Sequence, residues 1–317
     1  MTDTLRVRVG RVEPLAAGIK RFTLQPCDGG ALPAFSSGSH VVVHMDSGRL
    51  RNAYSLTSAL DNPAHYQIAV RLEEASRGGS RYMHEQVQEG DELDIGAPGN
   101  LFGLDHGAGR HLLIAGGIGI TPFMTHIQAL AARNAGFELH YCFRNAQSAA
   151  FLDVLPAALQ PGQLHLYESD TGNLLDIASL LAAQPSNTHV YVCGPAPLND
   201  AVVGAARAAG WDTSRIHFEQ FRNEVDATGG AFEAVLQKSG LTLQVGAEES
   251  LLRAIEKAGV QVDCMCREGI CGSCETAILE GEADHRDQYL SDAEKTAQKT
   301  MMLCVSRCKG QRLVLDL

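Results

Sequence analysis

Cys266, Cys271 and Cys274 stand in the spacing C-x4-C-x2-C, and Cys304 follows 30 positions after the third. Three near cysteines and one distant one form the ligand pattern of a plant-type [2Fe–2S] cluster. The spacing follows from the chemistry: four thiolates must converge on two irons, and a short loop wraps them only where its backbone turns tightly. Gly269 and Gly272, interleaved with the cysteines, permit the positive φ such turns require. Cysteines packed merely as small apolar residues would need no such interleaving. Two more thiols lie close by. Cys264 precedes Cys266 by two residues and Cys308 follows Cys304 by four, and either could in principle take a ligand position. Pairing Cys264 with Cys271 would break the C-x4-C spacing, so Cys264 reads as a neighbouring free thiol and Cys308 as structural.

Other stretches carry residue types suited to binding. In Arg51-Asn52-Ala53-Tyr54-Ser55-Leu56 a base, an aromatic and a hydroxyl share one strand end. Such a set could hold a flavin phosphate, flank the ring and hydrogen-bond near N5, or it could be an amphipathic strand with Tyr54 on its inner face. Gly78-Gly79-Ser80 opens a helix over Arg81–Val87, with Ser80 as N-cap and free amides that could hold a phosphate. An ordinary capped helix reads the same way. Gly116-Gly117-Ile118-Gly119-Ile120 follows the buried run His111–Ala115, and Thr121 as N-cap with Pro122 at the first helical position starts a helix that Gly136 ends. This turn reads G-x-G-x-x-P and brings backbone amides close to a pyrophosphate. Cys193-Gly194-Pro195 ends a later strand, at the carboxyl edge where such sheets bind ligands, a position that favours Cys193 beside a nicotinamide. The second strand of this region ends at Phe143-Arg144 with no acidic residue for a ribose diol, and Arg144 could favour a 2′-phosphate.

The elements that must position these stretches change rhythm along the chain. To about Leu104, short alternating strands (Leu5–Val12, Ile19–Gln25, His40–Met45, Arg51–Leu56, Gln67–Leu72, Asp91–Gly96) predict a small antiparallel β-barrel. From about Asp105 to Phe221, strands alternate with helices, including helical Ala149–Leu159, Ile177–Gln184 and Pro197–Ala209, which predicts an α/β doubly wound parallel sheet. The polar stretch Arg222–Gly230 reads as a linker. A strand pair over Ala231–Lys238 and Leu241–Val245, a helix from Leu251 stopped by Gly259, a strand over Thr276–Leu279 and a closing strand over Arg312–Leu317 then predict an α+β β-grasp ferredoxin fold. The chain of 317 residues is therefore multi-domain, divided at 1–104, 105–224 and 225–317.

A net charge of −11 argues against nucleic acid, whose phosphates demand a basic footprint. An acidic surface suits a basic docking face on a redox partner, and it equally serves solubility. Five of the nine cysteines fall between Cys264 and Cys304, a distribution that fits metal ligation in a reducing compartment better than a disulfide framework. With no apolar leader at Met1–Arg8 and no run of membrane-spanning length, the expectation is a cytoplasmic protein that does not enter a membrane.

The order barrel, nucleotide-type sheet, ferredoxin, with the motifs quoted above and His217-Phe218-Glu219-Gln220-Phe221, resembles the phthalate dioxygenase reductase family over essentially the whole chain. The resemblance implies FMN in the first domain, with Tyr54, Ser55 and Leu56 at the isoalloxazine and Gly78, Gly79 and Ser80 at the phosphate. It implies NADH at Gly116, Gly117, Gly119, Arg144, Cys193, Gly194 and Pro195. Thr121 would lie close to flavin and nicotinamide, Phe221 at the flavin ring, and Ser55, Thr121 and Cys193 would serve catalysis. Cys266, Cys271, Cys274 and Cys304 would hold the cluster. The partner it implies is a Rieske non-haem iron oxygenase, often one acting on an aromatic acid and sometimes on a methoxy or amine substrate. One departure stands out: the commoner motif has one residue between Arg and Tyr, and here Asn52 and Ala53 both intervene. On a regular strand Arg51 then faces away from Tyr54, so either a bulge corrects it or Asn52 takes the contact.

Electron counting agrees with that order. A nicotinamide gives two electrons at once, the cluster takes one, and a flavin does both. Plant-type clusters near −400 mV lie below Rieske centres at about −150 mV and above, so onward transfer is downhill by roughly four decades in equilibrium or more. No Rieske C-x-H…C-x-x-H pattern occurs in the chain, which puts oxygen chemistry on another polypeptide. The competing readings are a stand-alone flavin or quinone reductase and a non-enzymatic ferredoxin-like carrier.

Overall fold

The computed structural model describes residues 4–60, 64–74, 78–221, 226–264 and 266–317 of the chain. The chain divides into two compact units, residues 1–221 and 222–317.

Two sheets make up the first unit. Strands β1 (Thr4–Ala16), β2 (Ile19–Pro26), β3 (Ser39–Met45), β4 (Leu50–Ser55), β5 (Tyr66–Arg71), β6 (Glu92–Gly96) and β7 (Gly99–Asn100) pair antiparallel in the order β4-β3-β6-β1-β2-β5, with β7 beside β3. A bridge from Leu56 to Ile68 joins the two outer strands, closing the sheet as a barrel must. Alternation does the rest: Ser39, Val41, Val43 and Met45 of β3 face inward, toward Val7, Phe22, Leu24, Ile68 and Ile95. Helix α1 (Gly79–Glu85) buries Met83 against this barrel. It begins earlier than the sequence predicts. Gly78, at φ 114°, is its N-cap, and Ser80 already lies in the first turn. The Ser80 hydroxyl accepts the Glu73 amide at 3.1 Å rather than capping the helix.

The second sheet is parallel, in the order β10-β9-β8-β11-β12, from β8 (Arg110–Gly116), β9 (Phe137–Phe143), β10 (Leu164–Glu168), β11 (Thr188–Cys193) and β12 (Ile216–Glu219). Its helices are α2 (Thr121–Ala132), α3 (Leu155–Ala158), α4 (Ile177–Ala182) and α5 (Ala196–Ala208). The order reverses between β8 and β11, and ligands bind such sheets at that switch point. Thr121 is not an N-cap. The chain enters α2 through a 3₁₀ turn over Gly117–Ile120, so Thr121 is already helical and its hydroxyl donates to the Ile118 carbonyl at 3.0 Å. The helix expected over 149–159 shrinks to α3, because Ala149 is extended and Phe151 sits at φ 65°. Buried Ala149, Ala150 and Phe151 join the core as a turn instead.

The second unit holds β13 (Phe232–Leu236), β14 (Leu241–Val245), α6 (Leu251–Lys257), β15 (Glu275–Glu280), β16 (Ala283–Asp284), α7 (Asp292–Ala297), β17 (Thr300–Met302), β18 (Arg307–Cys308) and β19 (Arg312–Leu315). The main sheet runs β14-β13-β19-β15-β17, with β13 and β19 parallel and the other pairs antiparallel. Ser250 caps α6 by accepting the Arg253 amide, and Leu251, Leu252 and Ile255 pack into the core with Phe232, Met301 and Leu315.

Arg307 is the largest fully buried side chain of that unit, 1% exposed. Its guanidinium donates to the carbonyls of Ala227 (2.6 Å), Glu249 (2.7 Å), Gly230 (2.9 Å) and Gly246 (3.0 Å) and lies 5.2 Å from the Phe232 ring centre. It therefore ties residues 227–230 to the turn before α6. Arg307→Met leaves those buried carbonyls unsatisfied and should cost about 3 kcal/mol. In urea, far-UV circular dichroism should show an early transition, while fluorescence of Trp211, the single tryptophan and part of the first unit, keeps its midpoint. Equal stability of wild type and variant would exclude this role.

Candidate cofactor sites

At the sheet's switch point two backbone turns touch. A methyl on Gly119 would overlap the Cys193 carbonyl, and one on Gly116 would fall 2.7 Å from Leu198 Cδ2 and 2.8 Å from Pro195 Cδ. Gly194 approaches Gly116 as closely, 3.0 Å from a Cβ position to Cα. Side chains cannot fit between these turns, so backbone amides line the edge, as dinucleotide binding requires. Gly117 takes φ 53°, and Arg71, from the end of barrel strand β5, brings a guanidinium nitrogen to 3.7 Å of its Cβ position. The sequence reading missed Arg71.

Cys193 is fully buried, and its thiol donates to Glu219 Oε2 at 3.9 Å. Asn199 holds the Glu219 carbonyl at 2.9 Å. Burial pushes the Glu219 carboxyl up to about 8, and burial beside that carboxyl pushes the Cys193 thiol well up. At neutral pH the pair is uncharged and holds a proton on each partner. Glu219 lies in the quoted His217–Phe221 motif, yet only the β11–β12 pairing, which sets Cys193 opposite Glu219, exposes its role. Phe221 is 40% exposed. Arg144 is 80% exposed and donates to Asp170 Oδ1 at 3.4 Å, and Asn145 donates to Asp170 Oδ2 at 3.0 Å. An acidic residue therefore does stand at the end of β9, delivered by the turn after β10.

In the barrel, β4 pairs with β3 residue for residue from Leu50 opposite Met45 to Ser55 opposite His40, with no bulge. Arg51 is consequently exposed on the face opposite Tyr54, while Asn52 turns inward with Tyr54. A methyl on Gly79 would overlap the Asn52 amide, so Asn52, rather than Arg51, joins β4 to the start of α1. Among the described residues the buried Tyr54 hydroxyl has no hydrogen-bond partner, Ser55 and Leu56 are buried beside it, and burial raises the Tyr54 pKa. An orphaned hydroxyl in a cradle closed by Asn52 and Gly79 fits a planar polar cofactor.

In the second unit, Arg267 (58°), Gly269 (71°) and Gly272 (75°) all take positive φ. A Cβ on Gly269 would come within 2.6 Å of Val305 Cγ2, and one on Gly272 would overlap the Tyr289 ring, so both glycines are required by space as well as by φ. Cys266 Sγ accepts the amides of Glu268 and Ile270, each at 3.4 Å, and Cys271 Sγ lies 3.1 Å from Ser273 Oγ. Cys274 and Cys304 place their sulfurs 3.3 Å apart. Cys264 joins them: its Sγ and theirs all lie within 4.8 Å of one another. Cys264 is thus a neighbouring thiol in space as well as in sequence, close to Cys274 and Cys304. Hydrogen bonds from Cys271 and Cys304 hold Cys266 well below the usual thiol range, and those from Cys264 and Cys304 bring Cys274 down to about 4. The same neighbours push Cys271 and Cys304 up. Sulfurs this close can all be thiolates only with cations among them, and the donor set therefore fits an iron–sulfur cluster.

Residues 234–309 match the 2Fe-2S iron-sulfur cluster binding domain family, and residues 100–216 match the N-terminal domain family of dimethylamine monooxygenase subunit DmmA-like proteins. The chain is 52% identical over 314 residues to the carnitine monooxygenase reductase subunit of Escherichia coli (strain K12), covering 98% of each. It is 45% identical over 317 residues to the heme-dependent oxidative N-demethylase beta subunit of Ectopseudomonas mendocina (strain ymp), covering 100% of each. Among solved structures, phthalate dioxygenase reductase, described as modular for electron transfer from pyridine nucleotides to [2Fe-2S], matches with a TM-score of 0.76 and 35% identity over 99% of this chain and 98% of its own. The chain belongs to the phthalate dioxygenase reductase family. That structure carries electrons from pyridine nucleotides to a [2Fe-2S] cluster, and residues 234–309 of this chain supply the matching cluster domain. The chain is accordingly an iron–sulfur flavoprotein oxidoreductase, a reductase subunit that passes electrons to an oxygenase. No helix among the described residues is long and apolar enough to cross a membrane.

The Glu219 assignment has a pH signature. With its folded pKa near 8 against an ordinary 4.5, the native state holds a proton that the unfolded chain releases, so stability falls as pH rises through that window. Between those limits the melting temperature of wild type should drop by about 10 °C relative to Glu219→Gln. Equal slopes would mean that another group holds the proton.

Proposed function

We propose that the chain is the reductase component of a two-component system whose acceptor is a Rieske non-haem iron oxygenase, a dioxygenase of aromatic acids or a demethylase. The observation that carries this reading is the convergent cysteine loop, in one chain with a barrel and a nucleotide-type sheet. The modules proposed are residues 1–104 for FMN, 105–224 for NADH and 225–317 for the cluster. Bound FMN would supply an acceptor for the one hydride, with its two electrons, that NADH gives, and the bound cluster a one-electron outlet; everything else is the work of side chains and backbone.

On this reading Asn52 and Tyr54, with Ser55, Leu56 and the Gly78-Gly79-Ser80 helix start, hold and orient the flavin, and exposed Arg51 has no contact with it. Amides of Gly116, Gly117 and Gly119 and the Gly194-Pro195 turn seat the nucleotide pyrophosphate. Thr121, whose hydroxyl is anchored on Ile118, and uncharged Cys193 form an apolar, water-poor wall where the nicotinamide lies, with Glu219 keeping Cys193 protonated. Phe221 shields the flavin ring. The Arg144–Asp170 pair supports NADH: a carboxylate at that edge receives a ribose diol and repels a 2′-phosphate. A cytoplasmic location is proposed from the cysteine distribution, five of the nine falling between Cys264 and Cys304, which suits metal ligation in a reducing compartment.

A second acceptor reading, a haem enzyme, is favoured by the 45% identity to the beta subunit of a heme-dependent N-demethylase. A stand-alone flavin or quinone reductase is the remaining alternative. Purified protein should oxidise NADH with cytochrome c as acceptor and form no hydroxylated or demethylated product alone. Cys271→Ser should abolish cytochrome c reduction while NADH still bleaches the flavin. Product formed without a second component would sink the proposal, and reduction of a purified haem partner but no Rieske partner would decide for the second reading. Asp170→Ala should cut the NADH/NADPH ratio of kcat/KM by about tenfold, and an unchanged ratio would remove Asp170 from the site.

A further inference from the structure

The four-thiolate pattern leaves one sulfur of the second unit without a role. Cys308 is not that sulfur, for its thiol donates to the Arg312 carbonyl at 3.4 Å, in the strand pair β16–β18. Cys264 is. Cys304 interacts with Cys266 as well as with Cys264 and Cys274, yet among the five gathered thiols one set of three lies mutually close. Cys266 and Cys271 are served by the loop's own donors, the amides of Glu268 and Ile270 and the Ser273 hydroxyl. Cys264, Cys274 and Cys304 form a triangle of sulfurs, every pair within 4.8 Å. Two corners of that triangle are rooted in the hydrophobic core, Cys274 and Cys304 being 2% and 4% exposed, and Cys264 packs against the same core. A soft cation held by any two of these corners has the third within a short side-chain movement, and thiolate is the ligand that iron–sulfur centres take.

We propose that Cys264 is a reserve ligand for the iron held by Cys274 and Cys304. When either of those sulfurs is lost or blocked, the Cys264 thiol releases its proton to solvent and forms the sulfur–iron bond in the vacated position. One thiolate replaces another, so the cluster keeps four thiolates and neither iron changes oxidation state. The inference rests on the reading that this loop binds a [2Fe–2S] cluster. It gives the cluster a tolerance toward damage at Cys274 or Cys304 that it lacks at Cys271, which stands outside the triangle.

The full-length chain, reconstituted anaerobically, provides the test through iron and sulfide content and visible circular dichroism. Wild type and Cys264→Ser should carry the same cluster. Cys304→Ala should retain a cluster with four-thiolate charge-transfer bands, Cys304→Ala with Cys264→Ser should lose it, and Cys271→Ala should lose it with Cys264 intact. Equal cluster content in Cys304→Ala with and without Cys264 would overturn the proposal, and a wild type without iron would overturn the cluster reading beneath it. A second measurement covers a misfolded Cys304 variant. In the Cys266→Ser, Cys271→Ser protein, Co(II) should bind three thiolates, and adding Cys264→Ser should weaken the sulfur-to-cobalt charge-transfer band by about a third. An undiminished band would refute the triangle.

Discussion

Thiolates repel one another, and this chain brings the sulfurs of Cys264, Cys266, Cys271, Cys274 and Cys304 into one small region of its second unit. As thiolates they can stay together only with positive charge among them, and much of the surrounding fold is spent on holding them there. Gly269 and Gly272 give up side chains because Val305 and Tyr289 occupy the space. Cys274 and Cys304 are set side by side at one end of the antiparallel β15–β17 pairing, next to the Glu275–Met302 pair. Arg307, four carbonyls around its guanidinium, fixes the entry segment and the turn before α6 to the same small core. A unit of under a hundred residues has little apolar area with which to stabilise itself, and metal ligation adds to it what burial alone would not.

The first unit meets an opposite demand. Hydride transfer needs a site without stray charge or water, where two planar rings meet. The Gly116–Gly119 and Cys193–Pro195 turns reach that by bringing backbone against backbone, which is why alanine at Gly119 has no room. The Cys193–Glu219 pair reaches it by holding its protons: a carboxyl with a pKa near 8 is neutral where an ordinary glutamate is not. Unit one thus suppresses charge and unit two concentrates it, as befits a two-electron entry and a one-electron exit in one polypeptide.

Much of this was legible in the sequence because it is periodic or covalently local. The alternation of β3 and the strand–helix rhythm of residues 110–219 are legible in short windows, and the strands and helices appear in the predicted order, the helix expected over 149–159 being cut to Leu155–Ala158. The parity between Asn52 and Tyr54 was legible too, and the unbroken β3–β4 register decides between Arg51 and Asn52. What escaped depends on contacts between distant segments. Asp170 reaches Arg144 across 26 positions, Glu219 reaches Cys193 across 26, and Arg71 meets Gly117 from another sheet. Helix boundaries escaped for a local reason: Ser80 and Thr121 are good capping residues, but Gly78 and a 3₁₀ turn started those helices one step earlier.

Family membership constrains the donor more tightly than the acceptor, and the reason is physical. NADH has a ribose diol, a pyrophosphate and a ring, and each can be read by a residue on this chain. An electron has no functional group. It leaves by proximity and potential, so an outlet suited to a Rieske centre is equally suited to a haem of similar potential. Relatives near 50% identity are accordingly named for a carnitine monooxygenase and for a heme-dependent N-demethylase. Selectivity for one acceptor must then reside in the surface that docks it, through shape and charge. A chain of net charge −11 speeds encounter with a basic face and slows it with an acidic one. Tyr289, which packs on Gly272 of the cluster loop and is 39% exposed, is a side chain of that surface, whereas the buried sulfurs of Cys274 and Cys304 cannot reach a partner.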